Sequence, residues 1–249
     1  MPSSLRSLFA ALLLLAATPA AAGSFALAAP DGTEIPVATV GDGPRLLVWL
    51  PSERGITGGD REIAAKVAQR GFTVWLPDLH QARFLPPVPS SMEQLSGDDV
   101  AALLARAAGE RGAVMLLAGE RGAALALEGM VRFRERAPAG AKAIRGAIFL
   151  SPNFYRGTPE PGREPEYAAI TGRNPLPAAI VQPTMSPWYW YVDELKARLA
   201  GNGAAVHVFY LQGVRDRFYF RDDALPVEHD MAAKLPAVIE SAWNRIESR

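Results

Sequence analysis

A chain of 249 residues, 49% hydrophobic and 21% charged, is long enough for one sizeable core and too apolar for a disordered or fibrous protein. Its 26 lysines and arginines balance 26 aspartates and glutamates, which excludes the global basic field that nucleic-acid binding uses. The absence of cysteine excludes disulfides, thiolate metal sites and a cysteine nucleophile. At the N-terminus, "MPSSLRSLFAALLLLAATPAAAG" has a basic residue at Arg6, an apolar run from Leu8 to Ala17, and small Ala20 and Ala22 before Gly23. This pattern predicts a secretory signal over residues 1–22, cut after Ala22. The expected mature protein is a single domain over 23–249, periplasmic or secreted. It has no integral membrane segment after cleavage, since the apolar run is well short of the roughly 20 residues that span a bilayer.

Next, "SFALAAPDGTEIPVAT" places two extended segments around Pro30-Asp31-Gly32-Thr33, predicting an antiparallel hairpin. Compact apolar runs follow at 46–50, 72–76, 113–118, 146–150, 178–182 and 206–211. Runs of this length, apolar on both faces, suit interior strands of a parallel sheet. Helical patterns separate most of them, at 61–70, 98–109, 122–136 and 192–203, and a last helix is expected over about 229–247. Alternating strand and helix predicts an α/β fold with a mostly parallel, doubly wound sheet behind the N-terminal hairpin. The Pro-, Gly- and charge-rich stretch 152–177 is too irregular for a core element and reads as a small cap-like insertion.

Within "VMLLAGERGAALALEGM" (114–130), a strand, a tight turn and a helix follow in succession, in the form of the G-x-S-x-G turn on which many hydrolases mount a nucleophile. Aligning Gly119 with the first glycine puts Arg121 where the serine would stand. Together with the "PDGT" hairpin, the "LLVWLPSERG" strand and loop and the "LSP" strand end, this order of elements resembles the α/β-hydrolase fold superfamily from about residue 24 onward. A dinucleotide-binding fold, with Gly119 and Gly122 in a phosphate loop, is the alternative, but G-x-G-x-x-G is absent and the chain opens on a hairpin.

The resemblance implies three functional places at strand ends: a nucleophile at the elbow, an acid, and a histidine. They fall on Arg121, on or beside Ser186 in "QPTMSPWYWY", and on Arg215, Asp216 and Arg217 in "YLQGVRDRFYF". Arginine stays protonated and cannot attack a carbonyl, and no imidazole stands in the third loop. His207 lies inside a strand and His80 in the loop "PDLHQARF", where a hydrogen-bonding role is expected. His229, in "PVEHDM", is the one histidine able to swing toward the cleft, with Glu228 or Asp230 orienting it. Ser52 and Ser151 follow strands and are the possible replacement nucleophiles; each also has a sufficient reading as a turn or strand-end cap.

A positive side chain at a helix N-terminus calls for an anion. Arg121 is therefore expected against an internal carboxylate, first Asp216, otherwise Glu120 or Glu53. The alternative is a carboxylate or phosphate ligand held with help from Arg54 or Arg215. Trp188 and Trp190, in the run Trp188-Tyr189-Trp190-Tyr191, are expected to offer a stacking wall or a partner surface, extended by Phe218, Tyr219 and Phe220. No cofactor and no metal site is implied. With the three triad places occupied by other groups, the sequence leads to an exported, non-catalytic protein that binds a small molecule or a periplasmic protein. Its alternative is a serine-type or atypical hydrolase of an ester or related acyl substrate, using Ser52 or Ser151 and His229.

Overall fold

The computed structural model describes residues 22–136, 142–157 and 165–248. The expected leader lies outside the described residues except for Ala22, which opens strand β1 (Ala22–Ala28). This strand pairs antiparallel with β2 (Glu34–Val40) across a turn in which Gly32 has φ +85° and Asp31 accepts the Thr33 N–H at 3.0 Å. The six apolar runs become β3 (Arg45–Leu50), β4 (Phe72–Pro77), β5 (Val114–Gly119), β6 (Ile144–Leu150), β7 (Ala178–Pro183) and β8 (Val206–Leu211). They join the hairpin in one sheet of order β1-β2-β4-β3-β5-β6-β7-β8. Pairing is antiparallel as far as β2–β4 and parallel from there to β8.

Side chains alternate across the pleat, so each central strand feeds two cores. Leu46, Val48 and Leu50 of β3 enter one core, and Leu47 and Trp49 enter the other. Helices α3 (Gly97–Glu110), α4 (Gly122–Arg136) and α5 (Val192–Leu199) cover the first face. Helices α1 (Gly58–Ala68) and α6 (Pro226–Glu247) cover the second, which is the doubly wound arrangement. A one-turn helix, α2 (Leu79–Ala82), follows β4. Helix α6 begins three residues ahead of the sequence expectation because Pro226 suits the first helical position and Glu228 accepts the Leu225 N–H at 2.8 Å. The described parts of the 152–177 stretch pack Phe154, Tyr155 and Tyr167 into the first core, and Tyr155 bridges Tyr167. Among the described residues, no helix is long and apolar enough to cross a membrane.

Parallel order brings the loops after β3, β5, β6, β7 and β8 to one edge of the sheet, which is where open α/β sheets bind ligands. The approach is closest at Gly122, where a Cβ would meet the Pro51 carbonyl oxygen at 2.4 Å. Gly122→Ala is expected to destabilise the protein by about 1–3 kcal/mol, because the β3 loop and the start of α4 must separate. Urea unfolding checks this, and an unchanged midpoint would contradict the packing described.

Candidate active site

Strand β5 ends at Gly119 and α4 begins at Gly122, so only two residues make the turn. The left-handed one is Glu120, at φ +49°, and the sharp apex of the elbow is therefore Glu120. The expected placement of Arg121 there is off by one residue. The reason is steric: the glycine two places after the apex must admit the neighbouring loop, and Gly122 is the residue against Pro51. The sequence "AGERG" allows either register until that contact is known. Glu120 is held from both sides by the β6 loop, donating its N–H to the Leu150 carbonyl (3.2 Å) and accepting the Asn153 N–H (3.0 Å).

The Glu120 carboxyl is buried on Arg217, whose Nε donates to Glu120 Oε2 at 2.7 Å and whose Nη2 also reaches that oxygen. The same Nη2 donates to Glu53 Oε1 at 2.7 Å, and Glu53 Oε2 accepts the Arg121 N–H at 3.3 Å. Two carboxyl groups thus share one guanidinium in a partly water-excluded place. Burial, and then the neighbouring Glu53 charge, push the Glu120 carboxyl up to about 8 against the pull of Arg217. Burial acts the same way on Glu53. The hydrogen bonds it accepts from Glu120 and the Arg121 N–H, with the Arg217 charge, hold it below the ordinary range instead.

A second cluster lies beside the first. Ser151, just past β6, has φ +47°, and its hydroxyl donates to Asp216 Oδ1. The Ser186 hydroxyl donates to Asp216 Oδ2 at 3.0 Å. Burial raises the Asp216 carboxyl, while the two hydroxyls support its ionised form. Three successive residues of the β8 loop are therefore pinned separately. Arg215 goes to Glu228 and Asp223, Asp216 to the serines, and Arg217, at φ +64°, to the glutamates. Asp216 is not the partner of Arg121, and Arg215 is not free to help bind a ligand; both expectations are corrected by these contacts.

Ser52, Asp60, Glu120, Ser151 and Arg217 line one small, partly open cavity of about 10 Å³, the room one water needs, with Trp49, Phe218, Tyr219 and Phe220 as its aromatic wall. Asp60 is raised by burial and accepts from Thr57 and from the Tyr219 hydroxyl (2.9 Å). An open cleft of about 910 Å³ lies outside, lined by Arg54, Arg221 and the start of α1, and it shares Arg217, Tyr219 and Phe220 with the inner cavity. Of four described non-glycine residues with positive φ, three are Glu120, Ser151 and Arg217, all on this cavity. Backbone strain of about 1–3 kcal/mol per residue persists where surrounding structure enforces it, and it clusters at functional sites.

Of the other predicted residues, Ser52 lines the inner cavity and Arg54 the outer cleft, and the rest are dispersed. Arg121 lines a separate cavity with Asn153, Tyr155 and Glu128. Ser52 accepts the Arg54 N–H at 3.1 Å, and Arg54 is exposed. Trp188 stacks on Tyr155 (4.5 Å) and Trp190 is 81% exposed, so neither forms the wall of the inner cavity. His229 is exposed on α6 and is not among the residues lining the inner cavity, and Glu228, one of its two expected orienting partners, holds Arg215. His80 is buried with both ring nitrogens unpartnered, contrary to the expected loop hydrogen bond, and burial lowers its pKa. His207 is half-buried on β8.

No family model and no curated protein matches the chain by sequence. Solved structures do. One described as a dienelactone hydrolase from Klebsiella pneumoniae has a TM-score of 0.66 at 13% identity, over 91% of this chain and 99% of that one. Brefeldin A esterase, a bacterial homologue of human hormone-sensitive lipase, has a TM-score of 0.68 at 17% identity, over 97% and 81%. A bacterial heroin esterase has 0.64 at 17% identity, over 95% and 87%. The chain has the α/β-hydrolase fold. Within that fold, Glu120 stands in the turn after β5, Arg217 in the loop after β8 and Ser186 in the loop after β7. The expectation of a non-catalytic binding protein is overturned: the neighbours are esterases and hydrolases, and the cavity keeps a hydroxyl on a half-buried carboxylate.

Proposed function

We propose that the protein hydrolyses an ester or related acyl substrate with Ser151 as nucleophile and Asp216 as its base. The observation that carries this reading is the Ser151 hydroxyl donating to half-buried Asp216 from a left-handed backbone position on the cavity. A serine hydroxyl is a weak nucleophile until an adjacent base takes its proton. Burial makes Asp216 a stronger base than an exposed aspartate, and Ser186 fixes its second oxygen. Negative charge developing on the substrate carbonyl would meet Arg217, because the Arg121 N–H, the fold's usual donor for that charge, is taken by Glu53. The esterase descriptions of the structural neighbours support the same reaction class. Export to the periplasm or beyond is part of the proposal and rests on the leader pattern of residues 1–22.

The test is covalent. A fluorophosphonate probe is expected to label Ser151, located by peptide mass, and Ser151→Ala is expected to lose both labelling and hydrolysis of 4-nitrophenyl butanoate. Ser241→Ala, on α6, serves as the control that keeps both. Labelling and turnover that survive in Ser151→Ala would place the nucleophile elsewhere.

A further inference from the structure

We propose that Glu120 is the general acid of this site, protonating the departing alcohol oxygen, and that the site is thereby fitted to esters of unactivated aliphatic alcohols. The proposal rests on the hydrolase reading with Ser151 as nucleophile.

The geometry assigns the proton. Glu53 has both oxygens accepting N–H groups, Oε1 from Arg217 Nη2 and Oε2 from the Arg121 backbone, so it is the ionised partner. Glu120 receives both of its N–H contacts from Arg217 on Oε2 alone, which leaves Oε1 to carry the proton that Glu53 accepts at rest and the departing alcohol oxygen takes in turnover. One guanidinium balances one carboxylate, and a second anion in this buried place is unfavourable. The groups facing Glu120 are Glu53 from the β3 loop and Arg217 and Tyr219 from the β8 loop, with Asp60 of α1 on the same cavity. Of these, Arg217 alone is cationic. The elbow is also tied to the turn that carries Ser151, through the Glu120 N–H on Leu150 and the Asn153 N–H on Glu120. Acid and nucleophile therefore reach one cavity from two loops that are clamped together.

The protons balance over a full cycle. In acylation, Ser151 Oγ adds to the carbonyl carbon as its proton passes to Asp216. The bond to the alcohol oxygen then breaks as the Glu120 proton passes to that oxygen. In deacylation, water adds to the acyl carbon and gives its proton to Glu120. The bond to Ser151 then breaks as Asp216 returns its proton to Oγ. Alcohol and carboxylic acid leave, and both carboxyl groups are restored.

An acid matters only when the leaving group needs a proton. Ethyl butanoate needs one and 4-nitrophenyl butanoate does not, though both pass through the same acyl-enzyme. The expected result is that Glu120→Gln lowers the ratio of ethyl-ester to nitrophenyl-ester kcat/KM by about 100-fold, the lower range for a general acid. The wild-type ratio should also be constant at low pH and fall above the pH at which Glu120 loses its proton, a measurement that needs no variant to fold. A structural role for Glu120 would slow both esters alike, and an unchanged ratio in the variant or a ratio flat with pH overturns the proposal. Failure of the wild-type protein to take the fluorophosphonate on Ser151 would fell the hydrolase reading and this proposal with it. Labelling with a flat ratio fells the proposal alone.

Discussion

Arg217→Met is expected to lower the unfolding free energy by about 3 kcal/mol at pH 8 and by clearly less at pH 5. Removing one partner of a buried ion pair costs about 3–5 kcal/mol, and the lower figure applies because the Arg217 side chain is 30% exposed, against 5% and 12% for Glu53 and Glu120. Methionine keeps most of the stem, so the loss isolates the guanidinium. Without it, both carboxyl groups are buried without a cation and their folded-state pKa values rise above the unfolded ones. The folded state then binds more protons than the unfolded state, and stability falls as pH rises. In the wild type the two carboxyl groups act with opposite signs. Glu120, pushed up to about 8, costs stability increasingly from the ordinary glutamate range to about pH 8. Glu53, held low, contributes stability above that ordinary range that is lost as pH falls through its folded value. Urea midpoints at pH 5 and 8 check the difference. An equal loss at both pH values would show that packing, and not the stranded carboxylates, accounts for the effect.

Asp216→Asn is expected to act in opposite directions on activity and stability. Asparagine keeps the size and can hydrogen-bond both serines, but it cannot take the Ser151 proton. Loss of a general base costs about 10²–10⁴-fold in rate, so hydrolysis of 4-nitrophenyl butanoate should fall by at least about 100-fold. Stability at pH 7 should rise. Burial raises the Asp216 carboxyl above its ordinary value, so the folded state holds its proton more tightly than the unfolded state does. The ionised form then costs stability above the unfolded pKa, a cost that asparagine does not carry. At pH below both values the variant and wild type should unfold at nearly the same urea concentration. A variant that is less stable at pH 7 would mean that the two hydroxyl bonds outweigh burial, and retained turnover would remove Asp216 as the base.

The elbow shows how far the sequence goes. The strand, turn and helix at 114–136 follow from local composition: a short apolar run, small residues, then a helical pattern. The apex does not. Gly119 and Gly122 give two registers one residue apart, and only the Pro51 carbonyl against Gly122 decides between them. One register puts the cation Arg121 at the apex with Glu120 only as a possible partner, and the other puts the carboxyl of Glu120 there. With Glu120 at the apex, the group opposite is Arg217 and not Asp216. Ser151 was visible as a strand-end hydroxyl, but a strand-end serine gives no sign of a base 65 residues away.

Strands, hairpin, helices and hence the α/β architecture are legible in the amino-acid order alone, because burial on both faces of a parallel strand is written as a contiguous apolar run and helix faces as a local period. The site is not legible there and arises from long-range contacts. Arg217 meets Glu120 across 97 residues and Glu53 across 164, and Asp216 meets Ser151 and Ser186 from a third loop. Loop charges follow no period, and their protonation depends on which of them the sheet order buries together. Water exclusion and the sharing of one guanidinium exist only once those loops have met.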